Sequence, residues 1–358
     1  MRRALAAAAV LLVAAGLTSQ DAGPPPVPAS AADLAGKIVY VGYDDELWIA
    51  RPDGSERRRL TSDGDLGPYR APRWSPDGRF IAAIRLPPPA DLSRLVLIDA
   101  GSGSTRVLSR LEVSGFSWSR DGRRLAIAVG DHMQSLVQIV DLASGEWRGV
   151  APGSSPAWSP VDDRIAFETH DGRIAVFDGQ RGIVTIASPD GIAKVTKSAD
   201  GVRALYRPSW SRDGRRLGFV AVERGNPADA SQFTVVGDAR PDGPFRAWPI
   251  GATGHLHDFP QPVWSPTRDV FAATDVFHLP HVHHLWLGQP TSVELRLLDE
   301  ARPHFLNVAW SPDGGVLLLA LDELHAWKFF WVDTGRSVEI HEGGGMWPDW
   351  CCRTATVP

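Results

Sequence analysis

The chain has 358 residues, 43% of them hydrophobic and 22% charged, with a formal net charge of −5 at pH 7. This composition belongs to a soluble globular protein with a substantial core, as two average domains or one large domain built of repeats. Its acidic balance argues against nucleic acid or an anionic membrane as a main partner, and 35 glycines with 29 prolines supply turns for many short strands.

In chain order, Met1-Arg2-Arg3 leads into an apolar run from Ala4 to Leu17. A basic start before a run well short of the ~20 residues that span a bilayer reads as a secretory signal. Residues 1–19 are therefore expected to be a signal peptide, with an exported product, periplasmic or secreted, that is not stably inserted in a membrane. Its loss removes Arg2 and Arg3 and takes the formal charge to about −7. Residues 20–36, with Gly23-Pro24-Pro25-Pro26, read as an extended linker, which leaves residues 37–358 for the folded domain.

That domain repeats. Trp74, Trp118, Trp158, Trp210, Trp264 and Trp310 are separated by 44, 40, 52, 54 and 46 residues, the scale of propeller blades. Each is followed by Ser, then Pro or Arg, a polar turn and an apolar strand, as in Trp74-Ser75-Pro76-Asp77-Gly78. Ser-Pro-Asp-Gly suits a type I turn, in which Pro presets φ and Gly takes up the left-handed conformation that follows. The Trp is a wedge for the gap between neighbouring sheets. Four strands follow Trp74, near Pro72–Ser75, Phe80–Arg85, Leu95–Asp99 and Thr105–Ser109, and the same four recur after each later Trp. Only three strands precede Trp74, while Trp347-Pro348-Asp349-Trp350 at the other end matches Ala71-Pro72-Arg73-Trp74. The expected fold is thus all-β: a seven-bladed β-propeller of four-stranded antiparallel blades. One C-terminal inner strand and three N-terminal strands close the ring, with six blades as the alternative. Cys351 and Cys352 are adjacent and can join only as a strained ring, so two partly buried thiols are expected.

The Trp-Ser-Pro-Asp-Gly unit with its apolar strand resembles the WD40-like PD40 repeat of the TolB-like family over residues 37–358. That resemblance implies the propeller fold, export and the binding of other proteins. Related propellers occur in prolyl-oligopeptidase-type peptidases and in oligogalacturonate lyases, which use manganese held by histidines and a glutamine. His255, His257 and Gln261 echo that set only loosely, so no catalytic role is carried over.

Strand order places all 11 histidines on the face that carries the second-to-third-strand loops and the crossings between blades. Loops on a rigid scaffold carry function. His255, His257, His304 and His341 are candidate ligands for a divalent transition metal (Mn, Zn or Ni), because imidazoles from neighbouring crossings can converge on one funnel. Tyr69, Arg70, Tyr206, Arg207, Asp258, Arg302, Phe305, Glu342 and Trp347 are candidate ligand-binding residues at the same rim. Aromatic and arginine side chains at a concave site suit a protein, peptide or glycan ligand. The crossing from Ser188 to Tyr206 reads as a lid or as variable surface, and Asp44-Asp45 as solvated turn residues. No Gly-x-Ser-x-Gly elbow, His-Glu-x-x-His helix or phosphate-binding glycine loop appears. The reading is a monomeric binding protein without catalysis. The alternative is a metal-dependent enzyme such as a polysaccharide lyase of the oligogalacturonate type.

Overall fold

The computed structural model describes residues 34–63, 67–87, 93–131, 134–225, 231–241, 243–252, 261–277, 282–301, 305–321, 325–341 and 344–351. Strands follow the repeat. The N-terminal part supplies β1 (Lys37–Val41), β2 (Leu47–Ala50) and β3 (Arg58–Arg59). The first complete blade is β4 (Tyr69–Trp74), β5 (Phe80–Arg85), β6 (Arg94–Asp99) and β7 (Thr105–Val107). The second is β8 (Val113–Trp118), β9 (Arg124–Val129), β10 (Leu136–Asp141) and β11 (Trp147–Pro152). The third is β12 (Ser154–Trp158), β13 (Ile165–Glu168), β14 (Ile174–Asp178) and β15 (Gly182–Ala187). After helix α1 (Pro189–Thr196), the fourth is β16 (Val202–Trp210), β17 (Arg216–Glu223), β18 (Ser231–Asp238) and β19 (Phe245–Ala252). The fifth is β20 (Val263–Trp264), β21 (Phe271–Phe277), β22 (Val282–Gly288) and β23 (Arg296–Ala301). The sixth is β24 (Phe305–Trp310), β25 (Val316–Leu321), β26 (Ala326–Trp331) and β27 (Ser337–Ile340). The last strand, β28 (Met346–Cys351), pairs with β1 in a sheet of order β28-β1-β2-β3.

Seven four-stranded antiparallel sheets therefore form the ring, and blade 7 is shared by the two ends of the domain, with Lys37 opposite Cys351 and Ile38 opposite Trp350. Closure pairs the strands that an open sheet would leave exposed. Cys351 is disulfide-bonded, which corrects the expectation of free thiols. Among the described residues no helix is long and apolar enough to cross a membrane.

The tryptophan wedges are buried and tied. Trp74, Trp158, Trp210, Trp264, Trp310 and Trp350 all lie in the core between sheets. The indole N–H of Trp118, Trp210 and Trp310 donates to the carbonyl of the residue just before the preceding blade's Trp, at Arg73 (3.2 Å), Ala157 (2.9 Å) and Val263 (2.8 Å). Trp350 donates instead to Ala35, at 3.0 Å.

The turn after each Trp is more than a turn. The Ser75 hydroxyl donates to Asp77 Oδ1 (2.6 Å) and accepts from the Phe80 N–H (2.9 Å), while Gly78, at φ 69°, donates its N–H to the Ser75 carbonyl. The same clasp recurs from Ser119 to Asp121, Ser211 to Asp213 and Ser311 to Asp313, at 2.6, 2.7 and 2.5 Å. All four serines are buried. Their place in the repeat is thus explained by satisfied hydrogen bonds in the core as well as by turn preference.

Candidate functional site

Antiparallel order within a blade puts the first-to-second and third-to-fourth turns on one face of the ring, and the second-to-third loops and inter-blade crossings on the other. Pro-x-Trp shapes the inner strands where they leave this second face. Proline has no N–H for the ladder, so pairing must lapse beside it. At Pro72, Pro156, Pro208 and Pro348 the inner strand bulges, two residues standing opposite one. The residue just before each proline is left-handed although none is glycine: Ala71 (φ 46°), Ser155 (46°), Arg207 (52°) and Trp347 (49°). Such a conformation costs about 1–3 kcal/mol per residue and persists only where the surroundings impose it.

At Arg207 the surroundings do so through a buried acid. Glu168, 4% exposed, accepts the Ser154 hydroxyl at 2.9 Å and the Arg207 N–H at 2.6 Å, which locks the Arg207 bulge of blade 4 to the wall of blade 3. Asp349 accepts the Trp74 N–H at 2.8 Å and lies 3.8 Å from Arg73, joining blade 7 to blade 1. Burial raises the Asp349 carboxyl above the usual carboxylate range, against the lowering pull of Arg73 and the Trp74 N–H.

The bulges also shift the residues expected just before the inner strands. Tyr69, Arg70, Tyr206, Arg207, Phe305 and Trp347 lie inside β4, β16, β24 and β28, because pairing resumes beyond each bulge, as in Tyr69 opposite Arg85. Arg70 is exposed and stacks its guanidinium 5.6 Å from the centre of the Trp347 ring. Those two side chains, from the inner strands of blades 1 and 7, form a mixed aromatic and cationic surface toward the long-loop face. Arg207 and Tyr206 are half-buried in blade 4, Tyr206 against Val220 and Val222. Tyr69 belongs elsewhere. It is fully buried, its hydroxyl donates to Asp63 at 2.7 Å, and Arg85 covers its ring at 5.3 Å while pairing with Asp63 at 3.0 Å. Burial, then Asp63, pushes the Tyr69 phenol pKa up. It is a core residue of the crossing from blade 7 to blade 1.

Of the metal candidates, only His341 is described; its Nε2 lies 3.6 Å from Glu339. His255, His257 and His304 lie outside the described residues, as do Asp258, Arg302 and Glu342. Among the described residues no three His, Cys, Asp or Glu side chains come together as a metal site. His283 and His284, expected in a loop, lie in β22 opposite Val276 and Asp275, with His283 buried. The crossing from Ser188 is not a simple lid. Ser188 caps α1, accepting the Gly191 N–H at 3.2 Å, and Ile192 buries the helix against the core of blade 4.

Sequence reasoning did not single out Glu168 or Asp349 as wall residues. Their only signal is an acid within an otherwise apolar stretch, which also describes surface acids.

No protein-family model matches the chain, and no curated protein matches it in sequence. Solved structures do resemble it in fold. TolB from Acinetobacter baumannii superposes with a TM-score of 0.54 at 16% identity over 89% of this chain and 67% of its own. An oligogalacturonate lyase in complex with manganese gives 0.56 at 14% identity, covering 77% of this chain and 79% of its own. The tricorn protease gives 0.55 at 13% identity, and the match spans 85% of this chain but 34% of the protease. At these identities the likeness is one of β-propeller fold.

Proposed function

We propose that the chain is an exported, monomeric, TolB-like binding propeller that takes a protein, peptide or glycan through the funnel on its long-loop face and performs no chemistry on it. The observation that carries this reading is the ring of strained bulges at the channel mouth. Four non-glycine residues are held left-handed where inner strands meet that face. Strain retained in a repeated fold is characteristic of surfaces that must present side chains in fixed directions. Arg70 on Trp347 supplies a flat cation–aromatic platform of the kind that dominates binding energy at protein surfaces. The apolar leader with its basic start supports export.

The test is a panel of immobilised glycans and peptides probed with the wild type and with Arg70→Ala and Trp347→Ala proteins. Bound ligands should lose about tenfold or more in affinity in each variant. Unchanged binding in both would remove the funnel mouth as the site. Metal analysis of untagged protein separates the competing class. Stoichiometric Mn, Zn or Ni that disappears in the His255→Ala, His257→Ala double variant would replace this reading with a metal-dependent enzyme.

A further inference from the structure

A second cleft, of about 310 Å³, opens in the gap between blades 6 and 7, and neither Arg70 nor Trp347 lines it. That volume is at the lower end of small-molecule sites, enough for one ring compound and too small for a folded partner. Its walls come from the loop between β1 and β2, the outer part of blade 7, the turn before β26 and the crossing into β28.

Each wall is set by an identifiable interaction. Asp44 accepts the Trp48 indole N–H at 3.0 Å and so fixes that ring. Arg57 reaches up the face of blade 7, stacks 5.9 Å from the Trp48 centroid and donates its Nε–H to the buried Tyr40 hydroxyl at 3.3 Å. Its two terminal nitrogens carry no hydrogen bond among the described residues, so a guanidinium fork is oriented by its stem and left open at its tip. Opposite, His325 is left-handed at φ 51°, a turn that lays its imidazole on Tyr43 with ring centres 3.8 Å apart. Tyr43 nevertheless remains 44% exposed. Glycines keep the walls apart. A Cβ on Gly42 would meet Trp48 at 2.7 Å, and one on Gly344 would meet the His325 carbonyl at 2.4 Å.

We propose that this cleft binds a small ring compound bearing one carboxylate, its ring against Tyr43 and Trp48 and its carboxylate on the terminal nitrogens of Arg57. The planar guanidinium matches a carboxylate with two parallel hydrogen bonds, and an aromatic face accepts either a flat ring or the C–H face of a sugar. The site stands on this geometry alone and is independent of the funnel reading.

Calorimetric titration of the full chain tests it, using 4-hydroxybenzoate as an aromatic acid, glucuronate as a sugar acid and methyl 4-hydroxybenzoate as the uncharged control. At least one acid should bind and the ester should not; which acid binds identifies the source of the ring. Arg57→Gln should weaken binding about tenfold, and Arg57→Lys, which keeps the charge and loses the fork, by a smaller factor. Arg215→Gln, an exposed arginine on the opposite face, should change nothing. Circular dichroism confirms that each variant is folded, and the lysine variant carries the test if the glutamine one is not. Absence of binding by both acids, equal binding of acid and ester, or wild-type affinity in a folded Arg57 variant would overturn the proposal.

Discussion

The two faces of the ring are built from the same repeat and differ in kind. On the short-turn face, Ser, Asp and Arg are consumed by the fold. Clasps at Ser75, Ser119, Ser211 and Ser311 agree within 0.2 Å, and Arg124, Arg216 and Arg268 reach the next blade's Asp163 (2.7 Å), Asp269 (2.7 Å) and Asp333 (2.6 Å). On the long-loop face, successive blades depart from one another: a docked helix after blade 3, strained bulges in blades 1, 3, 4 and 7, and an aromatic cleft between blades 6 and 7. The shared hydrogen bonds and ion pairs gather on one face, and the departures between blades gather on the other.

Tryptophan replacement gives the largest contrast. Trp210→Ala should cost about 3–5 kcal/mol, because a buried wedge and its bond to Ala157 are both lost. Trp347→Ala, at the half-buried rim, should cost nearer 1 kcal/mol. Urea unfolding midpoints compare the two directly, and equal losses would break the distinction between faces.

Smaller residues should act with opposite signs. Ser119→Ala removes two hydrogen bonds from a buried clasp and should destabilise by about 1–3 kcal/mol. Ala71→Gly releases a left-handed alanine and should stabilise by up to about 1 kcal/mol.

Titration sharpens the comparison further. At Asp121 the Ser119 hydroxyl, opposed by burial and helped by the Arg123 N–H, holds the carboxyl below its usual range. A depressed acid contributes stability that is present above the unfolded value, near 3.9, and is lost as pH falls through the folded value. Asp349 has the reverse sign: raised by burial, it favours folding when protonated and loses that contribution as pH climbs through its raised value. Asp349→Asn should therefore raise the melting temperature at pH 7 and leave it unchanged at pH 3, whereas Asp121→Asn should lower it at pH 7 and by less as the pH falls below the usual carboxylate range. Melting curves from pH 3 to 8 would show whether the two carboxyls move apart in this way. The smallest effect belongs to Arg216→Gln. Its pair with Asp269 is partly exposed and should be worth about 1 kcal/mol or less, shrinking further in high salt.

Blade number, closure and the role of tryptophan were legible because each depends on a period, and a period can be read without coordinates. Single departures were not. Ser188-Pro189-Asp190-Gly191 spells the same four residues as Ser75-Pro76-Asp77-Gly78. At Ser75 the hydroxyl serves Asp77 and Phe80, and Gly78 turns left-handed into β5. At Ser188 the hydroxyl accepts from Gly191, the carbonyl accepts from the Ile192 N–H, and a helix begins. Only the flanks differ: a Trp before and an apolar strand after in one case, neither in the other. Similarly, Pro-x-Trp announced an inner strand, but the bulge it forces moved Tyr69 into the core and Arg70 to the surface. The cleft between blades 6 and 7 had no signature at all, since only closure brings His325 of blade 6 beside Tyr43, Trp48 and Arg57 of blade 7.

Pairing of Lys37 with Cys351 also means that the domain's beginning and end are neighbours in space. A short peptide joining them would leave every blade intact and free the chain to be cut at another crossing, such as the one between β11 and β12. Permuted versions of the molecule would then move the non-covalent seam from inside blade 7 to the boundary between two other blades, turning closure from a fixed property of the sequence into a variable that can be engineered.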